Sequence, residues 1–373
     1  MRRINISQVD SLFANGSYPI EFLFYYKERL QTQSIRLALK KLSNVFWPLF
    51  GEYKAGIIHF DRYSEEECFG EVRHEQEFDM AETHENLYKN YCRLNPSEMK
   101  KLFYLMIIQY KNGTVLIPKM NHLAGDGYSY FYFLSALAAI SRGPSVPFKK
   151  NLIRFLFKPN HNRTVLKDFL FNIGELKPLQ DKEKFSIQLE EIPRREVRDI
   201  IKSIASKFNQ QVSPNDILSA IAIKKSVMLQ KGYFGKYFRL TIPIDVRRQI
   251  KEYGKRYFGN GIMLKVINFK TEDIENSSAE VISTEIRKSM PSVSKEDYIE
   301  YLEGLENMIA QRQTDELRPY DPKSGCLVTN ISRLPVDKLD FGTGSPDLIF
   351  PLTIEKNSTG ILADKDNYIL RLA

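Results

Sequence analysis

His122 and Asp126 stand four residues apart in "NHLAGDGYSYFYFLSALAAI" (121–140), with Gly125 and Gly127 on either side of the aspartate. Imidazole is the side chain that ordinarily titrates near neutral pH, so His122 is the candidate proton acceptor. Asp126 is a charge inside an apolar segment and needs a partner if it is buried. The two glycines allow a sharp turn and a close approach of ligand to backbone. Other chemistries fit less well. One His and one Asp give too few ligands for zinc, and no second His or Cys stands at ligand spacing nearby. Ser129 completes a triad by composition, but the GxSxG elbow of a serine hydrolase is absent. Neither GxGxxG nor GxxxxGK[ST] occurs, so no phosphate loop is expected. A general base acting directly on a substrate proton remains.

The elements around the pair follow from pattern. "LFYLMIIQYKNGTVLIPKM" (102–120) reads as a hairpin with Asn112-Gly113 as its turn dipeptide, and its second strand delivers the chain to His122. "GYSYFYFLSALAAIS" reads as a buried helix that stops before Arg142-Gly143-Pro144. Upstream, residues 30–45 have helical spacing, with Ile35, Leu37, Leu39, Leu42 and Val45 on the apolar face. Pro48 and Gly51 end that helix, and "KAGIIHF" is a strand. Downstream, "EKFSIQLEEI" alternates like a strand, and "RREVRDIIKSIASKF" is an amphipathic helix with Val197, Ile200, Ile201, Ile204 and Phe208 facing inward. Ser213-Pro214 with Asp216, and Ser294 with Asp297, read as helix starts. "YFRLTIPIDVRR" is a strand, and "NYILRLA" closes the chain as one. Residues 143 to about 180 lack periodicity and read as a long crossover.

At 373 residues, with 43% hydrophobic and 12% aromatic content, the chain can bury the core of two domains or of one fold with two halves. The first residues lack the apolar run of a signal peptide, and no window is long enough to span a bilayer. Cys68, Cys92 and Cys326 are odd in number and far apart, which argues against a disulfide framework. Cytosol is the expected location. The net charge of +8 is spread along the chain, with no nucleic-acid signature, so no nucleic-acid partner is expected.

Five segments then share an order with one known family. His122-Leu-Ala-Gly-Asp126-Gly127 resembles the HxxxDG signature of the BAHD acyltransferases, within the wider group that includes chloramphenicol acetyltransferases and condensation domains of nonribosomal peptide synthesis. "WPLFGEY" (47–53) resembles the PLAGR-type segment, "IPIDVRR" (242–248) the VDxR strand and "YFGNGI" (257–262) the YFGNAI-type segment. "CLVTNISRLPVDKLDFGTGSP" (326–346) resembles the run ending in DFGWG, keeping Asp340, Phe341, Gly342 and Gly344, with Thr343 where tryptophan is usual. Asn121 before His122 departs from the doubled histidine of condensation domains and points to a free-standing enzyme using coenzyme A. The chain is also shorter than is usual for the family.

The resemblance implies a mixed α/β fold of two chloramphenicol-acetyltransferase-like domains, each a mixed sheet flanked by helices, with a channel between them. On this reading residues 1–150 form the N-terminal domain carrying HxxxDG, and 151–180 the crossover. Residues 181–373 form the C-terminal domain carrying the VDxR, YFGN and DFGTG segments. It implies an acyltransferase moving a group other than an aminoacyl group from a CoA thioester to an alcohol or amine, with no acyl-enzyme. His122 is the general base, and Asp126 pairs with Arg247 to hold the loop. Arg247, Arg248, Ser332 and Arg333 are the candidates for CoA, since its phosphates need cations. Gly127, Asn260, Asp340 and Gly342 support the site. Acyl-CoA enters as co-substrate, with no permanent cofactor and no metal, and the protein is expected to be a monomer. The rivals are a condensation-like enzyme fed by a carrier protein and an idle relative serving as a binding module.

Overall fold

In the computed structural model the described residues are 1–11, 19–92, 94, 100–143, 154–155, 187–230, 232–251, 253, 257–290, 292–311, 320–353 and 355–373. The expected crossover, 151–180, lies outside them except for the strand Arg154–Phe155. The chain divides into two compact units whose sequences interleave. The first is Met1–His161, Glu252–Gly261 and Leu334–Thr353, and the second is Asn162–Lys251, Ile262–Arg333 and Ile354–Ala373. The YFGN segment through Gly261 and the DFGTG segment therefore group with the first unit, where the sequence reading had placed them with the C-terminal half.

The first unit is built on a five-stranded mixed sheet in the order Leu348–Pro351, Pro19–Tyr26, Gly113–Asn121, Phe103–Tyr110, Phe69–Arg73. Only the last pairing is parallel. Gly113–Asn121 is central and buried at every position, which suits its apolar composition. The hairpin forms as the pattern predicts, with a shifted turn. Tyr110 pairs with Gly113, so the loop is Lys111-Asn112 and the glycine already belongs to the strand. A Cβ at Gly113 would overlap the Tyr26 carbonyl, and strand contact selects the glycine there.

The helix Gly127–Ser141 lies on this sheet through aromatic packing. Phe22 meets Tyr130 and Phe131 at ring separations of 5.7 and 5.4 Å, and Phe103 meets Phe133 at 4.8 Å. The helix Thr32–Leu42 packs beside it, burying Ile35, Ala38, Leu39 and Leu42. Leu37, expected on that face, is 51% exposed, because the buried stripe is narrower than the apolar spacing suggests.

The second unit carries a six-stranded mixed sheet, Ile262–Lys270, Tyr237–Asp245, Gly325–Asn330, Ser358–Ala363, Asn367–Leu372, Gln188–Pro193. The helices Arg194–Phe208, Pro214–Leu229 and Ala279–Ser289 contribute Val197, Ile217, Ile223 and Ile286 to a core shared with Phe238, Leu240 and Leu370 of the sheet. Both expected caps form full capping boxes, Ser213 with Asp216 and Ser294 with Asp297. Ile200 and Ile201 pack against the core only partly, and Phe208 is exposed at the end of its helix, just before the left-handed Asn209.

Candidate active site

Strand Gly113–Asn121 runs straight into a single 3-10 turn, His122–Ala124, and then into the helix Gly127–Ser141. Asn121 starts the turn by accepting the Leu123 N–H on its side-chain oxygen at 3.0 Å. Asp126 caps the helix, its Oδ1 accepting the Ser129 N–H at 3.1 Å. Its Oδ2 accepts the Gly261 N–H at 2.8 Å, which ties the loop to a segment 135 residues away. Asp126 is thus a buried carboxylate (2% exposed) held by two backbone donors.

Ser129 is fully buried, and its hydroxyl is committed to the backbone of Gly259. Its hydroxyl donates to the Gly259 carbonyl at 2.9 Å and accepts the Gly259 N–H at 3.0 Å, so a side chain replaces a strand partner. Gly259 adopts φ +143°, a conformation that disfavours a side chain. The loop's steric demand falls on Gly125, where a Cβ would come 2.7 Å from the Ser129 Cβ. At Gly127, expected to allow close approach, a Cβ would meet nothing nearer than the Leu334 Cδ1 at 3.9 Å.

His122 is buried, 8% exposed, and its backbone carbonyl accepts the Asn260 amide at 3.0 Å. The same amide nitrogen donates to Asp10 Oδ1 at 2.9 Å. Asp10 is 1% exposed, and its other oxygen accepts the Ser7 hydroxyl at 2.8 Å. Burial pulls the His122 pKa below its ordinary value. The charges of Asp126 and Asp10, and hydrogen bonding of the ring to the backbone and to Asn260, oppose that pull without overcoming it. The imidazole is therefore held in the neutral form near neutral pH, the state in which it can accept a proton.

The Asp340 segment braces the far end of the same helix. Asp340 Oδ1 accepts the N–H groups of Gly342 and Gly344 at 2.8 and 2.9 Å, and its Oδ2 pairs with Arg142 at 2.8 Å. Hydrogen bonding from Gly342, with help from Gly344 and Arg142, holds its carboxyl below the usual range. Gly342 and Gly344 both have positive φ, which explains the glycines of the motif.

The expected CoA residues all belong to the second unit. Arg247 is buried, its side chain 2% exposed, and its Nη1 donates to Asp245 at 3.1 Å. Arg248 and Arg333 are exposed, and Ser332 is half-buried, donating through N and Oγ to Asn330 Oδ1 at 3.0 and 2.6 Å. Asp10 is the residue the sequence reading missed, along with the roles of Gly125, Ser129 and Gly259. The signal for Asp10 was slight: Ser7 and Asp10 have the spacing of a helix start. Among the described residues, no group of three or more His, Cys, Asp or Glu is placed to hold a metal ion, and no helix is long and apolar enough to cross a membrane.

Comparison with known proteins supplies the class. The Transferase family matches residues 1–368. Spermidine hydroxycinnamoyltransferase 1 of Oryza sativa subsp. japonica is 21% identical over 217 residues, which is 55% of this chain and 49% of that enzyme. The chain thus matches about half the length of this curated relative. Among solved structures, TRI101 of F. graminearum in complex with coenzyme A and deoxynivalenol superposes with a TM-score of 0.79 at 14% identity, covering 100% of this chain and 95% of that one. Vinorine synthase gives 0.73 at 18% identity, covering 100% and 90%. The fold is that of these two-domain acyltransferases, and the chain belongs to the Transferase family, the BAHD acyltransferases that its motifs resemble.

Proposed function

We propose that the protein transfers an acyl group from a CoA thioester to the hydroxyl or amine of a small molecule. The carrying observation is the buried imidazole of His122 on a loop fixed at its backbone by Asn260, where burial lowers its pKa from the ordinary value and so favours the proton-accepting form. The acceptor's proton passes to His122 as its oxygen or nitrogen attacks the thioester carbonyl. The tetrahedral intermediate then collapses, the carbon–sulfur bond breaks, and the leaving CoA thiolate takes the proton from the imidazolium. Such base assistance is worth ~10²–10⁴-fold, and the rest comes from holding both substrates against the ring. No enzyme nucleophile is needed, in keeping with Ser129 being committed to Gly259.

In this proposal Asp126, Asn260, Gly127, Asp340 and Gly342 hold the loop and its helix, and Asp126 also pairs with Arg247. Arg248, Ser332 and Arg333, with Arg247, receive the CoA. The enzyme works as a cytosolic monomer, with the substrates meeting in a channel.

The test is a screen of acyl-CoA donors against a mixed library of alcohols and amines, with product masses read for the wild type and His122→Ala. Products from the wild type alone support the assignment, and equal products from both proteins defeat the base role. Turnover with free acyl-CoA excludes dependence on a carrier protein.

A further inference from the structure

Twelve large hydrophobic side chains are exposed among the described residues, and four of them fall within ten positions: Met228 (64%), Leu229 (51%), Tyr233 (44%) and Tyr237 (56%). They occupy the end of the helix Pro214–Leu229, the turn after it and the start of the strand Tyr237–Asp245. The turn is anchored from inside. Phe234 is buried and packs its ring 4.8 Å from Phe238 of the core, while Tyr233 and Tyr237 remain outside. Four exposed apolar side chains this close in sequence, beside a turn anchored in the core through Phe234, mark a contact surface more than scattered exposure does.

Its charge is one-sided. From 217 to 244 the sequence holds Lys224, Lys225, Lys231, Lys236 and Arg239 and no acidic residue. Two of these are engaged within the fold. Lys224 donates to the Ser277 carbonyl, and Lys225 pairs with Glu190 at 3.1 Å. Lys236 lies 5.6 Å from the centre of the Tyr237 ring, and Lys356, from the strand-side loop, lies 5.1 Å from that of Tyr233. Each exposed tyrosine thus has an ammonium on it. Arg239, Lys270 and Lys323 are exposed on or beside the adjoining strands; the neighbouring acids are Glu272 and Asp273 beyond Thr271, Asp321 beside the Ser324 that pairs with Arg239, and Glu355, buried next to Lys356. The balance around the cluster stays positive.

We propose that this face, with Met228, Leu229, Tyr233 and Tyr237 ringed by Lys236 and Lys356, docks the protein reversibly on an anionic lipid surface. Lysine is depleted in protein–protein interfaces, whereas lysine beside aliphatic side chains and tyrosine is the composition of a lipid–water boundary. The aliphatic groups enter the acyl boundary, the tyrosines sit at headgroup depth, and the lysines meet phosphate and carboxylate. Nothing in this depends on the acyl transfer proposed above.

Sedimentation with vesicles of phosphatidylcholine, alone or mixed with phosphatidylserine, tests it. Binding is expected on the mixed vesicles, weakening as salt rises, with little on phosphatidylcholine alone. Lys236→Gln and Lys356→Gln each reduce it about fivefold. Met228→Ser combined with Leu229→Ser reduces it further, and Leu37→Ser, exposed elsewhere, leaves it unchanged. All these side chains are exposed, so the melting temperature stays as in the wild type. Equal binding to both vesicle types, no binding to either, or undiminished binding by the variants overturns the proposal. So does a dimer in lipid-free solution that Met228→Ser with Leu229→Ser dissociates, which assigns the face to a second copy of the chain.

Discussion

The side-chain amide of Asn260 donates to the backbone carbonyl of His122 at 3.0 Å, across 138 residues of sequence. It donates to Asp10 at 2.9 Å as well, so three distant segments meet at one nitrogen. The loop that carries the imidazole is held from below by an amide and not by packing alone.

Asn260→Ala leaves Asp10 and the His122 carbonyl each short of a donor in a buried place, and costs about 1–3 kcal/mol of stability. Asn260→Asp is worse, because it sets a second carboxylate against Asp10. Urea denaturation of the two variants gives this order, with Asn260→Asp the less stable.

With His122 as the proposed base, the acid limb of the kcat/KM profile is expected to report its imidazole in the free enzyme. Burial lowers that pKa, so activity persists below the ordinary imidazole value and is lost only as pH falls through the lowered one. The Asp10 charge opposes the shift, so Asp10→Asn moves the limb to still lower pH. A limb moving upward in Asp10→Asn contradicts this electrostatic account. Stability follows the same sign. The unfolded state takes up the proton first, so the fold loses stability as pH drops from the unfolded value towards the folded one.

Gly125→Ala forces its Cβ against Ser129 and disturbs the contact to Gly259, an overpacking cost of about 1–3 kcal/mol. Gly127→Ala finds open space and costs far less. Thermal melts of the two single variants separate the positions, and equal shifts overturn the assignment of crowding to Gly125.

Asp126→Asn keeps a cap oxygen for Ser129 but turns a donor towards the Gly261 N–H, losing about 1–3 kcal/mol. A double-mutant cycle with Arg247→Gln tests the implied ion pair. Coupling above about 1 kcal/mol supports it, and additive effects remove it.

Local signals in the sequence carried well into three dimensions. The boxes at Ser213 and Ser294 and the hairpin ending at His122 depend on residues a few positions apart, and they form. Periodicity finds an apolar stripe but not its edges, hence the exposure of Leu37 and Phe208. Which glycine carries the steric load depends on Ser129 being folded back over Gly125, which no spacing reveals. Asp10 was the least legible of all, since its partner Asn260 lies 250 residues on. The motifs flagged Asn260, Asp340 and Gly342, while the geometry supplies their contacts.

The interleaving of the first unit has a consequence for biosynthesis. Its outer strand Leu348–Pro351 pairs with Pro19–Tyr26, and the Tyr26 hydroxyl donates to Leu339 across 313 residues. A nascent chain emerging from the ribosome holds its histidine loop long before the brace at 257–261 and the outer strand have been translated. The N-terminal portion must wait, partly assembled and with an open sheet edge, until most of the second unit has been made. A fragment cut near residue 161 carries the signature motif but lacks the Gly259, Asn260 and Gly261 contacts that brace it.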